Sequence, residues 1–135
     1  FLFFGCYLWN SFLIFPIETK NSMRYFILLF FLNFSQQQTI SVVDREVFST
    51  YIQKGYNLLD VRTPDEFKQG HIEGAENFNY YQNNFIQKLN IFDKKEPLLV
   101  YCRSGNRSYK AAKILDSLGF KQIIDLKGGF LAWEQ

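Results

Sequence analysis

The order and make-up of the apolar segments predict an α/β fold, a parallel sheet with helices on both faces. Three observations carry this. Short apolar runs alternate with helix-period segments from residue 39 to the end. Two of the runs, Leu58-Leu59-Asp60-Val61 and Leu98-Leu99-Val100-Tyr101, are apolar at nearly every position, as strands covered on both faces are. The junctions carry residues that start and stop helices, among them Asp44, Thr63-Pro64, Gly55 and Gly70.

In chain order, Thr39-Ile40-Ser41-Val42 is the first strand. Asp44 to Lys54 places Val47, Phe48, Tyr51 and Ile52 at helical spacing, with Asp44 able to cap and Gly55 as the stop. Tyr56 to Val61 is the second strand. Thr63-Pro64-Asp65-Glu66 opens a short helix: a hydroxyl cap, proline in the first turn and acids facing the dipole. Ala75 to Phe78 reads as a third strand, Tyr81 to Leu89 as a third helix, and Lys94-Lys95-Glu96-Pro97 as a polar loop. After the Leu98–Tyr101 strand comes a tight loop, then a helix through Tyr109, Ala111, Ala112, Ile114, Leu115 and Leu118, with Ser108 as its expected N-cap. Gln122 to Leu126 is the last strand, and Gly128-Gly129 leads into a short amphipathic end, Phe130 to Trp133.

The 135 residues suffice for one domain. A net charge of +2 is small and evenly spread, and no basic run interleaves with aromatics, so no nucleic-acid partner is expected. No metal site is expected either, since His71 is the sole histidine and Cys102 has no second cysteine near it. The composition changes near residue 35. More than half of the 16 phenylalanines lie in the first 34 positions, with only Glu18, Lys20 and Arg24 as charges there. Met23-Arg24, the apolar Tyr25–Leu32 run and the polar stretch after it have the parts of a secretory signal. The expected organisation is an upstream extension over 1–22, a signal over 23–35 and a domain over 40–135. The mature chain is then a monomer exported to a bacterial periplasm, without stable membrane insertion. In the competing reading Phe1 to Ile17 anchors it in a membrane. Cleavage also removes Cys6 and leaves Cys102 as the only thiol, which suggests a reactive sulfur rather than a disulfide frame.

Cys102 sits at the carboxyl end of a strand and faces a helix N-terminus, where unpaired amides and the helix dipole converge. With Arg103 and Arg107 beside it, such a field favours a thiolate over a thiol. The bland alternative, a small buried hydrophobe, fits a lone cysteine in general. It fits poorly before Arg103-Ser104-Gly105-Asn106-Arg107-Ser108, where a core position would not be followed by so many polar and small residues.

Three segments carry a resemblance. Leu58-Leu59-Asp60-Val61-Arg62-Thr63-Pro64-Asp65-Glu66-Phe67 with Gly70-His71-Ile72-Glu73-Gly74-Ala75 resembles the first signature of rhodanese-like domains. Val100 to Ser108 resembles their active-site loop, and Leu126-Lys127-Gly128-Gly129-Phe130-Leu131-Ala132-Trp133 their closing signature. The resemblance implies a single domain with a five-stranded parallel sheet, and sulfur transfer through a persulfide on Cys102 without a cofactor. It implies a small sulfane-sulfur donor such as thiosulfate, and a thiol or cyanide acceptor. Arg103, Ser104, Gly105, Asn106, Arg107 and Ser108 would cradle donor and persulfide, and Arg62 would reach the pocket. Arg103 and Arg107 are expected to attract the anionic donor, Arg107 making no core contact. Glu66 is expected to pair with Arg62, and His71 to hold a loop. Two rival functions remain beside this one. One is a binding or sulfur-carrier module that keeps the fold without turnover. The other is a cysteine phosphatase, which places five residues between cysteine and arginine where this chain has Arg103 to Asn106.

Overall fold

The structure, a computed structural model, describes residues 39–135. The upstream extension and the signal segment expected from the sequence lie outside the described residues. Among these, no helix is long and apolar enough to cross a membrane.

Five strands form one parallel sheet: β1 (Ile40–Val43), β2 (Asn57–Asp60), β3 (Ala75–Asn77), β4 (Leu98–Tyr101) and β5 (Ile123–Leu126). The spatial order is β1-β5-β4-β2-β3. The helices are α1 (Arg45–Gln53), α2 (Pro64–Gln69), α3 (Phe85–Lys88), α4 (Asn106–Ser117) and α5 (Gly129–Trp133), with a 3-10 turn over Leu89–Ile91 after α3.

The strands alternate their side chains between two apolar layers, as a period of two requires. Leu98, Val100 and Cys102 join Ile123, Ala111, Ala112 and Leu115 on the α4 side. Leu99 and Tyr101 join Phe48, Ile124, Leu126 and Phe130 on the α1 and α5 side. Every residue of β4 and β5 is buried, which is why their sequences are almost continuously apolar. Trp133 closes the second layer edge-on against Phe48, with ring centroids 6.4 Å apart.

The sheet order matters for function. From β2 the chain steps outward to β3, then returns to place β4 on the other side of β2. The carboxyl ends of β2 and β4 therefore flank a switch point, where open parallel sheets leave a crevice for ligands. Arg62 follows one of these ends and Cys102 the other.

Two expected elements differ. The helix expected over Tyr81–Leu89 is confined to Phe85–Lys88. The Asn79 side chain accepts from the Tyr81 amide at 3.1 Å and the Asn79 carbonyl from Gln82, which fixes a turn where helix was expected. Ser108 is not the cap of α4. That helix begins two residues earlier, and Gly105, in the left-handed region with φ +95, occupies the cap position. Ser108 is instead fully buried inside the first turn.

Candidate active site

The loop from Cys102 to Gly105 is shaped by its own sulfur and by the chain's closing segment. The Gly105 amide donates to Cys102 Sγ at 3.1 Å. Behind the loop, the first amides of α5 hold its carbonyls: Phe130 N–H donates to Cys102 O at 2.7 Å and Leu131 N–H to Arg103 O at 3.0 Å. The approach is so close that only glycine fits at 129. A Cβ there would overlap the Cys102 carbonyl oxygen and lie 2.7 Å from the Arg103 carbonyl carbon. With the carbonyls turned to α5, the amides of Ser104, Asn106, Arg107 and Ser108 donate to no backbone carbonyl among the described residues. They form the anion-attracting start of α4. Cys102 itself is 1% exposed, at the bottom of this cup.

The charges divide unequally. Arg107 is held by Glu66 through two parallel bonds, Nη1 to Oε2 at 2.8 Å and Nη2 to Oε1 at 2.7 Å. The same Glu66 closes a capping box on α2. It accepts from the Thr63 amide at 2.9 Å while its own amide donates to the Thr63 hydroxyl at 3.3 Å. The Arg107 guanidinium, helped by Thr63 and opposed by burial, pulls the Glu66 carboxyl down to about 2. In turn Glu66 raises the Arg107 pKa, with burial working against it and the Cys102 sulfur adding to it. Arg107 makes no contact with the apolar core, as expected, but it ties the loop to α2 through Glu66. Arg103 is exposed and belongs to neither of the ion pairs among the described residues.

The expected Arg62–Glu66 pair is also corrected. Arg62 pairs with Asp60, two residues away on the end of β2, with Nη2 to Oδ2 at 2.7 Å and Nε to both carboxylate oxygens. It also donates to the Gly70 carbonyl and lies 4.1 Å over the Phe130 ring. Burial works against its charge, but the Asp60 carboxylate outweighs that and raises its pKa. Tyr101 completes this buried cluster. Its hydroxyl accepts from the Ile72 amide at 3.1 Å, and burial followed by the neighbouring Asp60 pushes its pKa up. Arg62 thus forms a wall, 3% exposed, of a cleft of about 330 Å³ between α2, the loop and α5, which Arg103, Gly70 and Phe130 also line. His71 stacks on Phe67 with its Nδ1 3.1 Å from the Phe67 carbonyl.

Of the residues singled out from sequence, Cys102 to Ser108 make up one loop and helix start, and Arg62 stands at its flank. Glu66 as the partner of Arg107 is not read from the sequence, whereas the close backbone approach that the Gly128-Gly129 pair permits is the contact Gly129 makes with the loop carbonyls. For Glu66 a signal existed, the Thr63-Pro64-Asp65-Glu66 capping pattern. Its second partner is 41 residues away and invisible to local reading.

Residues 44–135 match the model of the rhodanese-like domain family. The chain belongs to that family. Relatives of this rhodanese-like chain include thiosulfate sulfurtransferase 18 of Arabidopsis thaliana, 34% identical, covering 73% of this chain and 82% of its own length. The thiosulfate sulfurtransferase GlpE of Shewanella oneidensis is 37% identical over 61% of this chain and 79% of its own. Among solved structures, a rhodanese-related protein from Thermoplasma volcanium superposes with a TM-score of 0.61 at 31% identity, covering 69% of this chain and 89% of that one.

Proposed function

We propose that this rhodanese-like chain is a sulfurtransferase that carries sulfane sulfur on Cys102 from a small anionic donor, thiosulfate or one like it, to a thiol or cyanide. The observation that carries the reading is the Gly105 N–H···Sγ contact of 3.1 Å, in a loop whose further amides are unclaimed by the backbone. Such a nest of amides suits a sulfur anion and the persulfide that replaces it.

In the first step the Cys102 thiolate attacks the outer sulfur of thiosulfate. A Cys102 S–S bond forms, the donor's S–S bond breaks, and sulfite departs with its electron pair. The product is Cys102–S–S⁻. In the second step the carbon of cyanide or an acceptor thiolate attacks the outer sulfur, and the Cys102 thiolate is regenerated. This is covalent catalysis that divides one transfer into two, with no net proton or electron demand. Exposed Arg103 draws the donor anion in, while Arg107 holds the cup's shape because Glu66 already matches its charge. The near-complete burial of the sulfur favours slender donors.

The test is an intact-mass measurement after incubation with thiosulfate. Wild type is expected to gain one sulfur atom and release it to cyanide as thiocyanate; Cys102→Ser, nearly isosteric but without a thiolate, is expected to do neither. A folded wild type that gains no sulfur from any of a panel of sulfane donors would leave a binding module. Phosphotyrosine-mimic hydrolysis that Cys102→Ser loses would favour the phosphatase alternative.

A further inference from the structure

The cleft beside the sulfur loop holds a charge that the two steps above leave unused. It measures about 330 Å³, at the small end of the roughly 300–1,000 Å³ usual for small-molecule sites. Four charged residues line it: Arg62, Glu66, Arg103 and Glu134. Two of them are already matched, Arg62 by Asp60 and Glu66 by Arg107. Arg103 and Glu134 are exposed, and they belong to neither ion pair among the described residues. The cleft thus offers a bound molecule one positive and one negative group.

Backbone bonds fix where both residues stand. The Leu131 amide donates to the Arg103 carbonyl at 3.0 Å, and the Glu134 amide to the Phe130 carbonyl at 3.1 Å. Leu131 and Glu134 are three residues apart at the end of α5, a spacing that makes them neighbours on one face. Phe130 and Leu131 add apolar wall to the same cleft. Both ends of the sulfur loop border it, because Arg103 follows Cys102 and the lining Glu66 holds Arg107.

The donor does not account for Glu134. Thiosulfate is a dianion without a cationic group, so a carboxylate beside its route repels it. The helix does not account for it either: Glu134 caps the C-terminal end of α5, where the dipole favours cations. The acceptor does. The persulfide on Cys102 is an anion, and the acceptor must bring a second anion, its thiolate, up to it. An ammonium group near the acceptor sulfur lessens that repulsion, and Glu134 is the partner such a group needs.

We propose that Glu134 is a specificity-determining residue of the second step, and that the acceptor is a small thiol bearing both an ammonium and a carboxylate group, the first facing Glu134 and the second Arg103. This rests on the sulfurtransferase reading. The acceptor thiolate attacks the outer sulfur, and its new S–S bond forms as the Cys102 S–S bond breaks. Cys102 leaves as the thiolate and the acceptor departs as a persulfide. Arg103 serves both steps in turn, since sulfite has left before the acceptor enters.

The test loads the full chain with sulfur from thiosulfate, removes the excess, and follows loss of the added sulfur by intact mass. Four thiols are compared: cysteine, cysteamine with the ammonium alone, 3-mercaptopropionate with the carboxylate alone, and 2-mercaptoethanol with neither. Each variant rate is divided by the wild-type rate for the same thiol, so differences in thiol acidity cancel. Relative to 2-mercaptoethanol, Glu134→Gln is expected to lower this ratio about threefold to fivefold for cysteine and cysteamine but not for 3-mercaptopropionate, the size of effect one exposed ion pair gives. Arg103→Ala is expected to lower it for cysteine and 3-mercaptopropionate but not for cysteamine. Loading from thiosulfate is expected to be at least as fast in Glu134→Gln as in wild type. A merely structural role for Glu134 would slow loading and all four thiols alike, so an even ratio across the thiols, or slower loading, overturns the proposal. Failure of the function itself is read before any thiol is added, as a wild type that takes up no sulfur.

Discussion

At the scale of single residues, the two arginines of the loop are chemically alike and differently employed. Arg107 is forked onto Glu66, the geometry in which guanidinium and carboxylate bind best, so its charge is largely spent. Arg103 stands exposed on the cleft wall. Arg103→Ala is therefore expected to lower kcat/KM for thiosulfate about tenfold and to flatten its salt dependence, with the melting temperature nearly unchanged. Arg107→Ala should instead cost stability, about 1–2 kcal/mol once the partial exposure of the pair is allowed for, and Glu66→Gln should cost a similar amount. Melting curves and thiosulfate:cyanide kinetics on the three variants check this. Equal kinetic losses with no stability loss at Arg107 would return it to the role of donor cation that its place in the loop first suggests.

At the scale of elements, the loop is held less by its own residues than by the strand before it and by α5 behind it. Gly129 is where that support is most sensitive. Gly129→Ala must strain a backbone at φ +62 and also push α5 off the Cys102 and Arg103 carbonyls, breaking two hydrogen bonds. The expected cost is about 2–4 kcal/mol, a fall in melting temperature of roughly 10 °C or more for a domain of this size. Gly119→Ala is the control. It has the same kind of left-handed φ, +91, but an added Cβ meets nothing within 4 Å, so only the strain should register. Similar melting temperatures for the two variants would mean that α5 does not clamp the loop. The elements were largely legible in sequence because strands buried on both faces and capped helices leave strong local patterns. What stayed hidden was set by partners far along the chain. Nearness in sequence suggests Glu66 as the partner of Arg62, yet Asp60 is closer to Arg62 on the strand end and Arg107 is brought to Glu66 by the fold. Ser108 looked like a cap because serine commonly is one; the turn made by Gly105 moved the helix start ahead of it. Asp125 sits within an apolar strand pattern, and nothing in that pattern marks an acid that the fold leaves only 2% exposed.

At the scale of the whole molecule, two carboxyls couple folding to pH with opposite signs. Glu66 titrates lower in the folded chain, near 2 against an ordinary 4.5. Its stabilisation is complete above that ordinary value and is lost as pH falls through about 2. Asp125 titrates higher when folded, near 6 against 3.8. Below 3.8 it is neutral in both states and costs nothing. As pH rises from 3.8 to about 6, the unfolded chain gives up the proton while the folded chain keeps it, so stability falls, and above that it levels off. The loss amounts to roughly 2–3 kcal/mol, the shift converted at about 1.4 kcal/mol per pH unit. Asp125→Asn removes this dependence and leaves that of Glu66. Urea unfolding of both chains from about pH 3.5 to pH 8 should thus give a difference in unfolding free energy that grows in favour of the variant up to about pH 6 and is constant beyond, with the same denaturant slope for both. A difference independent of pH would show that the folded chain does not hold a proton on Asp125.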